Sequence, residues 1–360
     1  MNEWLINLPE DDATFLARLA MGFVLCLGAI IGSFLNVCIY RIPMGQSVST
    51  PRSHCFGCGK TIPWYYNIPV LAWLVLRGKC AYCKRPISVR YPMIEALTAV
   101  LFLLVFQMWG NPTLFALNKL QLPELIPLYW LFVSSVVVNV MIDYDHGILL
   151  DRISIGGALI ALAASAAFPA MQGELTWLPA LLDSLLGLAV GFGTGFAIAF
   201  LGEKIFLQDA FGFGDVKWMA MFGALFGWRG VLIILFLAVL AGLFMIPFVL
   251  LANRLKKDKN TVLTMPFGPA LGLGALAWLF WGNRLTDLAF WLLGFAEYIQ
   301  YALLPVILVM AVWLGFRIRA IRRAVREEEA AEAARAAEAD AIDRTKMMPI
   351  AEETQEDAHV

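Results

Sequence analysis

The chain is built from long apolar stretches separated by short polar segments. Apolar runs fall near 15–40, 93–109, 124–142, 153–171, 179–201, 216–228, 230–252 and 265–281. A further apolar region follows from about 286 to 316. A helix needs about 20 apolar residues to cross a bilayer. The pattern therefore predicts an all-α polytopic membrane protein with about eight or nine transmembrane helices. The run at 216–228 is short for a span, so tilt or partial insertion is expected there. The ninth span is placed at 301–316, because Arg317, Arg319, Arg322 and Arg323 follow it directly. Glycines gather within spans, as at Gly187, Gly191, Gly193 and Gly195, where small residues let membrane helices approach closely.

Composition agrees. Of 360 residues, 60% are hydrophobic and 15% charged, against about half and about a quarter in soluble domains. The net charge of -1 points to no particular partner, and no nucleic-acid partner is expected. The first residues, Met1-Asn2-Glu3-Trp4, carry no positive charge, and Asp11 and Asp12 precede the first run. A secretory signal would begin with basic residues. The first span is thus expected to be retained, with its N-terminus outside the cytosol.

Charge orients the helices. Segment 41–92 carries Arg41, Arg52, Lys60, Arg77, Lys79, Lys84, Arg85 and Arg90 and no acid, so it is expected in the cytosol. Counting spans from there puts Asp143 and Asp215 on the same cytosolic side, with the basic loop Asn253-Arg254-Leu255-Lys256-Lys257. The division that follows is a first span at 1–40, a cytosolic loop domain at 41–92 and a membrane-embedded core at 93–281. An additional hydrophobic region at 282–316 and a charged tail at 317–360 complete it.

Asp143 and Asp215 are the candidate catalytic residues. An ionisable group at a membrane boundary is costly unless it has a function. Two carboxylates that meet can share a proton and activate water for hydrolysis. Asp215 follows Gly212 and Gly214, which permit close backbone approach. Asp145 and Asp151 read equally well as solvated helix ends. Glu95 is a further candidate buried acid, with Arg90 its expected partner. Lys217 is expected to face a lipid headgroup or a partner. Asp183 is expected toward the outer side, and His54 and His146 are read as structural. Pro266-Phe267-Gly268-Pro269 reads as a helix start, or as a break that frees a backbone edge for substrate.

The basic loop holds Cys55-Phe56-Gly57-Cys58 and Cys80-Ala81-Tyr82-Cys83. Two C-x-x-C pairs can bring four thiolates around one ion. A reducing cytosol argues against disulfides. The expected ion is Zn2+, with iron as the alternative. Four thiolates leave no open position for water, so the site is expected to be structural. Cys26 and Cys38 lack partners at ligand spacing and are expected to pack. The apolar stretch from Leu71 to Leu76 is expected against the membrane face or under the helical core.

Taken together these motifs resemble a known family over roughly residues 20–281. They are Gly32-Ser33-Phe34-Leu35-Asn36-Val37 with Tyr40-Arg41-Ile42-Pro43, the two C-x-x-C pairs around Asn67-Ile68-Pro69, and Arg90-Tyr91-Pro92 with Glu95. Ile142-Asp143, Gly212-Phe213-Gly214-Asp215-Val216-Lys217 and Pro266-Phe267-Gly268-Pro269 complete the set. The chain resembles the type IV prepilin peptidases, membrane aspartyl peptidases with a Gly-x-Gly-Asp motif. The resemblance implies a multi-pass enzyme of the bacterial inner membrane. Such an enzyme cleaves the leader of type IV prepilins or type II secretion pseudopilins after a glycine. It then N-methylates the new terminus with S-adenosyl-L-methionine. The resemblance implies that Asp143 and Asp215 are catalytic and that Cys55, Cys58, Cys80 and Cys83 hold zinc. No glycine-rich nucleotide loop places the methyl-donor site. Leu150, where the family often has proline, departs from the pattern before Asp151. Tyr144-Asp145 imitates the motif of presenilin-like proteases, so Asp145 is the reserve partner of Asp215. A presenilin-like or preflagellin-type protease without methylation is the alternative, and an ion-coupled transporter a third. The long cysteine loop argues against the former. The absence of an internal repeat argues against the latter.

Overall fold

The computed structural model describes residues 10–110, 123–206, 212–255, 267–282 and 284–288. Two compact units divide the chain at Thr286 and Asp287, and all the elements named below lie in the first. They are helices α1 (Glu10–Arg41), α2 (Leu71–Val75), α3 (Arg90–Gly110), α4 (Ile126–His146), α5 (Asp151–Ala167), α6 (Trp177–Phe206) and α7 (Phe213–Leu255), followed by a shorter apolar helix, α8 (Gly268–Gly282). Among the described residues the extended backbone is limited to two isolated bridges, His54 with Thr61 and Lys79 with Pro86.

Five helices are long and apolar enough to cross a membrane: α1, α3, α4, α6 and α7. The expectation of eight or nine spans separates at particular places. α5 has 17 residues and ends at the turn Pro169–Gln172. The two runs expected at 216–228 and 230–252 form one helical element, broken at Gly227 with φ 72° and ψ 174°. Only glycine adopts that backbone readily. Glycine therefore breaks the helix here while apolar sequence continues on both sides. The expected ninth span and the charged tail lie outside the described residues.

Small residues decide how the helices pair. A side chain at Gly28 or Gly32 of α1 would collide with the backbone of Ala99 or Glu95 of α3. At Gly187 it would collide with the Gly223 carbonyl of α7, and at Gly191 with that of Met219. These contacts make α1 with α3, and α6 with α7, the closest pairs. α8 packs against α4 and α7: a side chain at Gly272 would meet Val140 and Val136 of α4 and Trp218 of α7. The fully buried core includes Val105, Val133, Val136, Ile142, Trp218, Phe222, Ile234 and Leu271. Outward positions remain apolar, as Phe15, Leu19, Phe23, Ile30 and Phe34 show along α1. That inverse of a soluble surface is what a hydrocarbon solvent requires.

Two further expectations change, one in the loop and one on α1. Leu71, Leu74 and Val75 of α2 are exposed, so this apolar stretch does not pass beneath the helical core. Cys38 is buried as expected, whereas Cys26 is exposed on the outside of α1.

Candidate active site and cysteine cluster

α4 delivers Asp143 to its last turn. Gly147 caps the helix in the left-handed conformation, at φ 65° and ψ 28°, and its N–H donates to the Asp143 carbonyl at 2.8 Å. The helix therefore stops just past the acid and leaves its side chain at the helix end. Asp215 sits in the first turn of α7, and its N–H donates to the Gly212 carbonyl at 3.0 Å. A side chain at Gly214 would press on Leu149, with Leu149 Cβ at 3.0 Å, which explains the need for a small residue beside the acid. Both acids are nearly buried, at 7% and 8% exposure. Their carboxyls lie within electrostatic reach of each other.

α8 completes the site. The Phe267 carbonyl accepts the first helical bond, from Leu271 N–H at 3.0 Å. Gly268 is therefore the first residue of α8, and its N–H has no partner within the helix. That N–H donates to Asp143 Oδ2 at 3.0 Å. A side chain at Gly268 would collide with the same carboxylate. Pro269 suits the helix start because it has no N–H to satisfy. The reading of 266–269 as a helix start is the one that the described residues carry; Pro266 lies outside them.

The neighbouring acids differ. Arg90 donates to both oxygens of Asp145, at 2.8 and 2.6 Å. Lys217 donates to both oxygens of Asp151, each at 2.7 Å. Lys217 thus ties the start of α5 to the first turn of α7, and does not serve as a free charge for lipid or a partner. Glu95 does not pair with Arg90. Its Oε2 accepts the Val70 N–H at 2.7 Å, because Arg90, five residues earlier on α3, turns to Asp145. Among the described residues, Asp143 and Asp215 are in no salt bridge.

Sequence reasoning missed two groups behind the pair. Asn139 is fully buried one turn before Asp143, and its Oδ1 accepts the Leu150 N–H at 3.4 Å. Trp218 is fully buried one turn after Asp215. Among the described residues, the buried Asn139 Nδ2, Trp218 Nε1 and Asp215 Oδ1 have no hydrogen-bond partner. An amide inside an apolar span was the signal available in the sequence.

The four loop cysteines converge. Their sulfur atoms all lie within 4.8 Å of one another, and those of Cys55 and Cys83 are 3.7 Å apart. Zinc bonded to sulfur at about 2.3 Å in a tetrahedron requires sulfurs about 3.8 Å apart, so the cluster fits that ion. Each pair sits on a tight turn. Gly59 N–H donates to the Cys55 carbonyl at 2.8 Å, and Lys84 N–H to the Cys80 carbonyl at 3.1 Å. Gly59 takes φ 69°, as the first of these turns demands. The Gly57 N–H donates to Cys55 Sγ at 3.4 Å, a contact that favours the thiolate there. A thiolate is the form that binds metal.

Five long apolar helices with buried acids at their ends, and a four-cysteine loop, define a multi-pass membrane protein. Comparison with known proteins gives the family. Residues 26–109 match the bacterial peptidase A24 N-terminal domain, and residues 130–247 match the type IV leader peptidase family. The chain is 40% identical over 220 residues to a prepilin leader peptidase/N-methyltransferase of Myxococcus xanthus, covering 61% of this chain and 60% of that one. It is 34% identical over 271 residues to the type 4 prepilin-like proteins leader peptide-processing enzyme of Escherichia coli O78:H11, covering 70% and 91%. With a Pseudomonas putida prepilin leader peptidase/N-methyltransferase it shares 31% over 307 residues, covering 78% and 99%. The chain belongs to the type IV leader peptidase family. No solved structure matches it.

Proposed function

We propose that this protein cleaves the leader peptide of type IV prepilins or type II secretion pseudopilins after a glycine, and then N-methylates the new terminus. Asp143 and Asp215 are the catalytic pair. The observation that carries this is selective: of the four aspartates at this end of the helices, these two are buried and, among the described residues, in no ion pair, while Asp145 and Asp151 are each held by a cation. Asp145 is therefore set aside as the partner of Asp215.

In the reaction one ionised carboxylate takes a proton from water, and the other, protonated, polarises the scissile carbonyl. The Gly268 N–H, at the positive end of α8, suits Asp143 as the ionised member, and Asp215 donates. The apolar segment of the substrate enters between the helices from the bilayer, and its basic leader stays in the cytosol. Cys55, Cys58, Cys80 and Cys83 hold a structural zinc that folds a loop with little core of its own. S-adenosylmethionine, when bound, supplies the methyl group to the new amine. The enzyme resides in the bacterial inner membrane with this site facing the cytosol, as the basic loop supports.

The test incubates purified enzyme with a prepilin and S-adenosylmethionine and reads the product N-terminus by mass spectrometry. A shortened, methylated product is expected. Asp143→Asn and Asp215→Asn should each yield uncut prepilin. Normal cleavage by either variant removes the assignment.

A further inference from the structure

The loop that carries the cysteines also carries an outward apolar face between its two cysteine pairs. Trp64 and Tyr65 stand exposed on a 3-10 turn, Trp64–Tyr66. Ile68 follows, and α2 presents Leu71, Leu74 and Val75. Trp64 is 74% exposed and Val75 78%. The other side of α2 is used inside the loop, where the Trp73 indole N–H donates to the Ile87 carbonyl at 3.0 Å. α2 is therefore two-sided, with positions 71, 74 and 75 sharing the outer face by the helical repeat. Single exposed apolar residues are ordinary, but a cluster of this kind marks an interaction surface.

One hydrogen bond fixes the height of this face. Val70 is the centre of a tight turn closed by the Leu71 N–H, which donates to the Pro69 carbonyl at 2.6 Å. Its φ of 60° and ψ of -52° form a backbone that β-branched residues avoid. The Val70 N–H donates to Glu95 Oε2 at 2.7 Å, and that bond holds the turn. Glu95 lies in the second turn of α3, about 7.5 Å along the helix from Arg90. α2 thus starts level with a stretch of α3 that is apolar enough to cross a membrane. At that level α3 exposes Met93 and Leu97, and α1, which meets Glu95 at Gly32, exposes Phe34. The outer face of α2 is at the height of these lipid-facing residues. Arg77 and Lys79, both exposed, follow α2 directly, and the segment 41–92 contains no acid.

We propose that residues 64–75 are an interfacial anchor. They insert Trp64, Tyr65, Leu71, Leu74 and Val75 into the bilayer leaflet at this end of α1 and α3, and they set Arg77 and Lys79 among its phosphates. Three features of the surface match lipid. Trp and Tyr gather at the headgroup boundary. Amphipathic elements bury their apolar face about 5 to 10 Å into it, the depth at which Glu95 holds Val70. Long basic side chains lay their stems on apolar surface and offer their charge to anionic headgroups. The anchor also bears on the metal cluster. α2 lies between Cys58 and Cys80 in the chain, so its insertion holds both cysteine pairs at the membrane surface. The inference does not depend on which reaction the carboxyl pair performs.

The experiment reconstitutes the full chain in vesicles of phosphatidylethanolamine and phosphatidylglycerol that contain a phospholipid with a photoreactive diazirine in its acyl chain. Labelled peptides are mapped by mass spectrometry after illumination. Label is expected on residues 64–75 as well as on the outer face of α1, where Phe23 serves as the internal standard. In a variant carrying Leu74→Glu and Val75→Glu, label on 64–75 should fall at least about fivefold relative to α1, because a carboxylate is not kept in hydrocarbon. Both positions are exposed, and zinc content reports whether the loop is folded. Wild-type protein labelled on α1 and not on 64–75 overturns the anchor. Undiminished label in the folded variant overturns it as well. A bifunctional crosslink from 64–75 to a second copy of the chain, in place of lipid, would make this face a contact between copies.

Discussion

The inner and outer acids at one end of this helical unit were placed by the same chemistry and have opposite circumstances. Asp143 and Asp215 are nearly buried, lie near each other and carry no counter-charge among the described residues. Asp145 and Asp151 stand two and eight residues beyond Asp143, yet each is clamped by a cation. The outer pairs are partly exposed, with side chains 36% and 25% accessible in one and 24% and 56% in the other. Ion pairs in such settings contribute about 0 to 1 kcal/mol. They locate α3 against α4, and α5 against α7, more than they stabilise the fold. A carboxylate freed from such pairing, in a low-dielectric site, is the one available for proton transfer.

Breaking the inner pair should have the largest effect. Asp143→Asn or Asp215→Asn is expected to lower leader cleavage about 10³-fold, within the range of general acid–base catalysis, in a single-turnover assay with prepilin. Next comes the amide that holds Asp143. Gly268→Ala places a methyl group against that carboxylate and is expected to cost about 10²-fold in the same assay, the scale of a displaced catalytic group. Membrane insertion should be unchanged. A near-normal rate would mean that α8 does not position Asp143.

Zinc removal sharpens the contrast between loop and helices. Chelation should abolish amide protection across 53–87 in hydrogen exchange, because metal and folding are coupled in a domain this small. Protection in α4 and α7 should stay, since their core is packed independently. A loop that remains protected without metal would show that its own contacts suffice. The smallest effects belong to the outer acids. Asp145→Asn and Asp151→Asn are each expected to change cleavage by less than about fivefold, the equivalent of 1 kcal/mol. A loss as large as that at Asp143 would reverse the assignment of inner and outer roles.

Much of this was legible before any tertiary contact was known. Uninterrupted apolar runs have few ways to satisfy their backbone in a bilayer other than as helices, so α1, α3, α4 and α6 begin and end within a few residues of expectation. The paired C-x-x-C spacing places thiolates through local turns, and the four sulfurs converge accordingly. Local signals also governed the misjudgements. Arg90 lies near both Glu95 and Asp145 in the fold, and nothing in the sequence says which acid it meets. Lys217 looked unpartnered because Asp151 is 66 residues away.

The sequence by itself determined most of the helices and the residue types able to bind metal or move protons. These depend on side-chain chemistry and short-range geometry. Tertiary structure alone decided which acids stay free of cations. It decided that the Gly268 amide meets Asp143 across 125 residues, that Glu95 holds the loop at Val70, and that a cavity remains between the cysteine loop, α1 and the start of α3. Those outcomes depend on how closely helices approach. Glycines such as Gly32, Gly187 and Gly272 set that approach, each through a partner the linear sequence does not name.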